Sequence, residues 1–267
     1  MRIPFTQVDA FAAAAFAGNP AAVMPLSQWL PDDTLQRIAE ENNLSETAFL
    51  VALDGDDQEA DFELRWFTPA TEVALCGHAT LASGHVVLQS HQTRERVTFR
   101  TRQAGLLTVE RDGIGYLMAL PAYPPEPKPL PAILAALGVE SAAETLWHPG
   151  RYGLVVLDDE EAVRRLRPDF RALAAEGDVL TIVTAPGRDT DVVSRVFACG
   201  AGIDEDPVTG SAHSVLAPYW TRRLGTDRFT AFQASRRGGR LTCRAEGDRV
   251  VLGGQCVTVI EGAFLLP

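Results

Sequence analysis

The sequence predicts an α+β protein of two similar β-rich domains, each wrapped on one central helix. Three observations carry this reading. Each half of the chain holds one nearly uncharged helical segment, short runs with the two-residue period of strands flank both, and a proline-rich stretch lies midway between them.

The chain opens on Ile3-Pro4-Phe5-Thr6-Gln7-Val8-Asp9-Ala10-Phe11, whose alternation predicts a strand, because successive strand side chains point to opposite faces. Asp32-Asp33 begins a helical stretch in which Leu35, Ile38 and Ala39 share one face, with the two acids at the positive end of the helix dipole. Asp61-Phe62-Glu63-Leu64-Arg65-Trp66-Phe67 alternates again. From Gly77 to Leu88 there is almost no charge on any side, which predicts a helix buried all round. Strands are expected over 96–100 and 106–110.

Leu120 to Pro131 reads L-P-A-Y-P-P-E-P-K-P-L-P, and its six prolines suit neither a helix interior nor a central strand. Residues 120–131 are therefore expected to form a crossover between domains 1–119 and 132–267, each near the common size of ~100–150 residues, with the last strand able to pack back on the first domain. Further strands are expected over 154–157, 179–184, 241–245, 249–252 and 257–261. Between them Gly210 to Trp220 reads as a second small-residue helix, which Pro218 should kink or restart. Arg65-Trp66-Phe67 precedes the first helix as Arg195-Val196-Phe197 precedes the second, which points to an internal duplication.

Composition narrows the function. At 267 residues and 46% hydrophobic the chain can bury a substantial core. Its 24 Lys and Arg against 35 Asp and Glu leave a net charge of −11, which repels nucleic acid and anionic lipid surfaces. No apolar run approaches the ~20 residues of a membrane span, and the opening residues lack a secretory pattern, so a cytoplasmic location is expected. Cys76, Cys199, Cys243 and Cys256 lie far apart and never as C-x-x-C, which argues for reduced thiols. The G-x-S-x-G, G-x-x-x-x-G-K-[ST] and H-E-x-x-H templates are missing, and Gly200-Ala201-Gly202 lacks the third glycine of a dinucleotide fingerprint. No nucleotide, nicotinamide, metal or other cofactor is expected.

An anionic substrate then needs a local positive site. The helix starts Gly77-His78 and Gly210-Ser211 offer one each through free backbone N–H groups, and if both point at a cleft between the domains they would hold a carboxylate and stabilise an enolate-like charge. Asn43-Leu44-Ser45-Glu46-Thr47-Ala48-Phe49-Leu50 places Glu46 between a helix end and an apolar strand, where partial burial suits a carboxylate to accept and return a proton. A loop or capping role is the plain alternative. His78 reads as a proton relay or as a buried, satisfied histidine. Asp206, before Pro207, suits a turn or cap, and Ser211 a helix start or a substrate hydroxyl donor. Cys76, ahead of the first helix, is either an activated thiolate or a small buried apolar residue.

Six ordered stretches resemble the phenazine-biosynthesis PhzF-like family, within the diaminopimelate epimerase-like fold. They are V-D-A-F, Phe16-Ala17-Gly18-Asn19-Pro20-Ala21-Ala22-Val23, N-L-S-E-T-A-F, R-W-F-T-P, L-C-G-H-A-T and D-P-V-T-G-S-A-H. The resemblance spans essentially the whole chain. It implies two domains, each a barrel-like sheet around a central helix, an active site in the interdomain cleft, a homodimer, and a cofactor-independent isomerase acting on a small anionic, carboxylated metabolite. It assigns the general acid/base to Glu46, with His78 and Asp206 as the supporting catalytic histidine and aspartate through which the proton can be redelivered, and a serine to Ser211, with Gly77, Gly210 and Ser211 lining the substrate.

Related epimerases and racemases use one cysteine from each half. Cys76 stands at the first such position and Thr209 at the second, and a threonine hydroxyl is too weak an acid for a two-thiol exchange. Cys76 and Thr209 are thus expected to line the substrate. The alternatives kept open are an amino-acid epimerase using Cys76 and a non-catalytic metabolite binder of the same fold.

Overall fold

The structure is a computed structural model describing residues 1–53 and 59–266. Pro267, the end of the expected second domain, lies outside the described residues. The chain divides into two compact units, residues 1–119 with 253–267 and residues 120–252.

The first unit runs β1 (Arg2–Ala10), β2 (Asn19–Leu26), α1 (Asp32–Asn42), β3 (Glu46–Ala52), β4 (Phe62–Phe67), β5 (Glu72–Val73), α2 (Gly77–Ser90), β6 (Arg96–Thr101), β7 (Leu106–Asp112) and β8 (Gly115–Pro121), which carries the chain into the second unit. The last strand of the chain, β18 (Cys256–Leu265), pairs antiparallel with β1 along its whole length. From β1 the sheet passes antiparallel to β2, parallel to β3, antiparallel to β4, parallel to β6 and antiparallel to β7 and β8. Each parallel step needs a crossover, and α1 and α2 supply them.

The helix α2 packs against β1, β2, β3, β6, β7 and β18. A sheet that meets one helix on so many sides leaves it no solvent face, which is why the sequence from Gly77 to Leu88 shows no polar stripe. β7 approaches the helix closely at Gly84, where a Cβ would lie 2.4 Å from Val109 Cγ1. The smaller helix α1 covers the outer face, packing Leu35 and Ile38 on Ile3, Met24, Phe49 and Phe67.

The second unit repeats the plan. It runs β9 (Glu126–Pro127), α3 (Pro131–Leu137), β10 (Glu144–His148), β11 (Tyr152–Val156), α4 (Glu160–Arg165), α5 (Phe170–Ala175), β12 (Leu180–Pro186), β13 (Val192–Ala198), β14 (Ile203–Asp206), α6 (Gly210–Leu224), β15 (Arg228–Gln233), β16 (Gly239–Glu246) and β17 (Arg249–Gly254). β10 to β11 is antiparallel, β11 to β12 parallel, β12 to β13 antiparallel, β13 to β15 parallel and β15 to β16 antiparallel. This is the succession from β1 to β7. The correspondence reaches side chains. Arg65 of β4 grips Glu72 of β5 through Nε and Nη2, both at 2.8 Å, and Arg195 of β13 grips Glu205 of β14 at 2.7 and 3.0 Å. Each guanidinium also lies over a phenylalanine two residues on, at 5.0 Å from Phe67 and 5.1 Å from Phe197.

Within the proline-rich segment Pro127 sits in the two-residue strand β9, and Pro131 opens α3, where its missing N–H has no intrahelical partner to lose. One local expectation is revised: Pro218 does not restart α6, which is a single helix to Leu224. A proline there deprives the Ser214 carbonyl of its helical donor, and the Tyr123 amide donates to that carbonyl instead, at 2.9 Å.

Candidate active site

Glu46 is the first residue of β3, and its side chain meets α2 at the helix start. Its Oε2 lies 2.9 Å from His78 Nε2, with the two side chains only 12% and 5% exposed. The approach is close but poorly aligned, so neither atom forms a hydrogen bond of ordinary geometry. The contact is electrostatic, strengthened by burial, and leaves the carboxylate's lone pairs imperfectly used.

On the other side of the ring, His78 Nδ1 lies 3.1 Å from the Asn19 amide nitrogen and 3.6 Å from Cys76 Sγ. Asn19 begins β2 and is fully buried. The turn before it needs Gly18, whose φ of 65° would press a Cβ to 2.2 Å from the Ala10 carbonyl oxygen. A side-chain amide suits an imidazole that gains and loses a proton, since it can present either its oxygen or its nitrogen to the ring.

Burial opposes a charge on His78, but the Cys76 sulfur and the Glu46 carboxylate favour one and together hold its pKa well above the usual histidine value. The Cys76 thiol is pushed up to about 11, first by burial and then by the Glu46 charge. Burial thus disfavours a Cys76 thiolate, while the Glu46 carboxylate on the other side of the ring favours an imidazolium.

Cys76 is the N-cap of α2, yet no side chain caps the helix and its first turn carries no acid. Gly77, His78 and their neighbours thus keep backbone N–H groups at the positive end of a 14-residue helix. By contrast, Asp159 and Asp169 cap α4 and α5 by accepting from Ala162 and Ala172.

In the second unit Thr209 is the N-cap of α6 in the same extended conformation, again with no side-chain cap and no acid in the first turn, which begins at Gly210. The Thr209 hydroxyl donates to Asp206 Oδ2. Buried Gln233, at the end of β15, accepts from the Thr209 amide at 2.9 Å and donates to the Asp206 carbonyl at 2.7 Å. Asp206 and Thr209 are thereby locked to the strand beside the helix. Ser211 is half-buried and hydrogen-bonds the Tyr152 hydroxyl, and Tyr152 is steadied by Tyr123 and His148 at ring distances of 5.5 and 5.9 Å.

The structure brings Glu46, Cys76, Gly77 and His78 into one cluster, and Asp206, Thr209, Gly210 and Ser211 into another, each within its own unit. Sequence reasoning gave no role to Asn19, Gln233 or Tyr152. Asn19 stands inside a recognised motif and could have been singled out. Gln233 and Tyr152 carry no sequence signal.

A helix held inside a sheet, repeated twice along the chain, is the diaminopimelate epimerase-like fold. A hydroxyproline epimerase from Agrobacterium vitis shares it, with a TM-score of 0.63 at 12% identity over 98% of this chain and 92% of that one. Residues 8–262 match the family described as PhzC-PhzF, phenazine biosynthesis-like protein, and the chain belongs to that family. A crystal structure of a PhzF-family phenazine biosynthesis protein from Enterococcus faecalis superimposes with a TM-score of 0.90, at 44% identity over all of both chains. An uncharacterized isomerase from Pseudomonas aeruginosa is 48% identical over the full length of both proteins. The human phenazine biosynthesis-like domain-containing protein is 40% identical over 99% of each. The protein is an isomerase by family and fold. No helix among the described residues is long and apolar enough to cross a membrane.

Proposed function

We propose that the enzyme shifts a proton on a small carboxylated metabolite without a cofactor, with Glu46 as general acid/base. The observation that supports this best is the buried 2.9 Å approach of Glu46 to His78 at the uncapped start of α2. In the proposed step the bond from carbon to hydrogen next to the carboxylate or a carbonyl breaks, the proton passes to Glu46, and the electron pair spreads into the adjoining π-system. Backbone N–H groups at Gly77 and His78 stabilise the resulting anionic oxygen. Glu46 then returns the proton to a different carbon, which completes the isomerisation with no net gain or loss.

His78 holds the Glu46 carboxylate and lends it positive charge, while Asn19 follows the ring through either protonation state. Cys76, with a pKa near 11, is a poor base at neutral pH, which sets a Cys76-dependent epimerase below the glutamate reading. Asp206 is proposed as a supporting proton-transfer residue, and Ser211, Thr209 and Gly210 as binding the substrate's polar groups. A homodimer and a cytoplasmic location belong to the same proposal on the family resemblance alone.

The test is deuterium incorporation from heavy water into a pool of small carboxylated metabolites, read by mass spectrometry. Wild type and Cys76→Ala should label the same metabolite, and Glu46→Gln should label none. Labelling that survives Glu46→Gln but is lost in Cys76→Ala would overturn the glutamate mechanism and establish the thiol one.

A further inference from the structure

We propose that Cys76, His78 and Glu46 together form a site for a thiophilic divalent ion, with zinc as the best fit, whose binding blocks the acid/base centre. The cysteine sulfur, a ring nitrogen of His78 and a Glu46 carboxylate oxygen all lie within 4.8 Å of one another. Among the described residues no other group of three such side chains converges in this way.

The spacing is that of ligands. With zinc–sulfur near 2.3 Å and zinc–nitrogen near 2.0 Å, two tetrahedral ligands stand roughly 3.5 Å apart. Cys76 Sγ and His78 Nδ1 are 3.6 Å apart before any ion arrives. The donor set also selects the metal: thiolate, imidazole and carboxylate suit zinc, whereas magnesium and calcium take oxygen ligands. Three protein ligands leave the fourth position open to water or to a ligand's oxygen.

Binding requires defined movements. An ion on the sulfur side of the ring takes Nδ1, so the Asn19 amide yields that nitrogen and the Glu46 carboxylate swings from Nε2 towards the ion. Cys76 releases its thiol proton to solvent, and no electrons are transferred. The ion acts here as a blocker. This consequence rests on the reading of Glu46 as the acid/base, because a coordinated carboxylate no longer accepts a substrate proton. The binding itself does not depend on that reading.

The test is calorimetric titration of zinc chloride into the full-length, chelator-treated protein near neutral pH, beside Cys76→Ser, Glu46→Gln and a magnesium chloride control. One zinc per chain is expected, with affinity lowered in both Cys76→Ser and Glu46→Gln by at least the roughly 10–100-fold that loss of a residue merely supporting a ligand costs, and no magnesium binding. No zinc binding by wild type, or undiminished binding by Cys76→Ser, overturns the assignment. If circular dichroism shows a variant unfolded, zinc-edge X-ray absorption of the wild-type complex decides: one sulfur near ~2.3 Å sustains the site, and a shell of nitrogen and oxygen alone overturns it. Deuterium labelling without zinc is read separately. Labelling with no zinc binding sinks this inference alone, and zinc binding with no labelling sinks the functional reading alone.

Discussion

At the scale of single residues, the protein sets three groups of different chemistry around one imidazole. Burial alone would strip His78 of its proton, and the neighbouring charges reverse that outcome. A histidine whose folded pKa is raised contributes stability at pH below its unfolded value of 6.5 and loses that contribution as pH climbs through the folded pKa. NMR titration of the ring should therefore find His78 protonated above the ordinary range in wild type. In Glu46→Gln the carboxylate is gone and desolvation gains ground, so the pKa should fall; an unchanged titration would show that Glu46 does not govern the ring. Glu46, Cys76 and His78 were legible because each sits in a short recognisable stretch. Gln233 was not, because one glutamine at a strand end looks like any other until the parallel register sets it beside Ser194 and next to the start of α6.

Between elements, two contacts decide how the strands hold their helices. Gly84 lets β7 cross α2, and a methyl there meets both Val109 Cγ1 and Val109 Cβ, the latter at 2.6 Å and fixed to the backbone. Gly84→Ala should lower stability by about 1–3 kcal/mol through overpacking, more than the helix propensity that alanine adds, about 1 kcal/mol. Denaturant unfolding measures this, and Val109→Ala in the same chain should restore part of the loss. The paired grips of Arg65 on Glu72 and Arg195 on Glu205 tie each long strand to the short strand that leads into its central helix. Arg195 is 10% exposed at its side chain, and its other partners are the backbone carbonyls of Val163 and Leu166. Glu205→Ala should cost about 3–5 kcal/mol, because it strands a buried charge, and Arg195→Met in the same chain should recover some of that loss in a double-mutant cycle. The R-W-F and R-V-F echo hinted at these pairs, but the glutamate partners lie seven and ten residues downstream, beyond any helical or strand period.

Across the whole molecule the duplication is plain in topology and broken in chemistry. Thr47 faces Phe67 as Thr181 faces Phe197, so the counterpart of Glu46 in the second half is Leu180. Cys76 and Thr209 share the N-cap position of the two central helices, but the Glu46 carboxylate beside the first faces His78, whereas the Asp206 carboxylate beside the second is taken by the Thr209 hydroxyl. The second helix instead buries His213, whose Nδ1 donates to the Thr209 carbonyl at 2.8 Å and whose pKa burial pulls down to about 4. A folded pKa below the unfolded 6.5 means that the unfolded chain binds more protons in that window. Stability should therefore fall as pH drops from 6.5 towards 4, by about 3 kcal/mol from this residue. His213→Gln should flatten that part of the profile in urea unfolding, and an unaltered slope would assign the acid sensitivity elsewhere.

The sequence by itself determined the two buried helices, the strands around them and the family, because apolar periodicity and short motifs are local properties of a chain. It also marked Glu46, Cys76 and His78 as candidates. Only the tertiary structure decided that β18 closes on β1, that α6 runs through Pro218 because Tyr123 supplies the missing donor, and that the imidazole of His78 stands between a carboxylate and a thiol. Those outcomes depend on residues far apart in sequence meeting in space, and such meetings are set by strand register and packing, which no single stretch of sequence encodes.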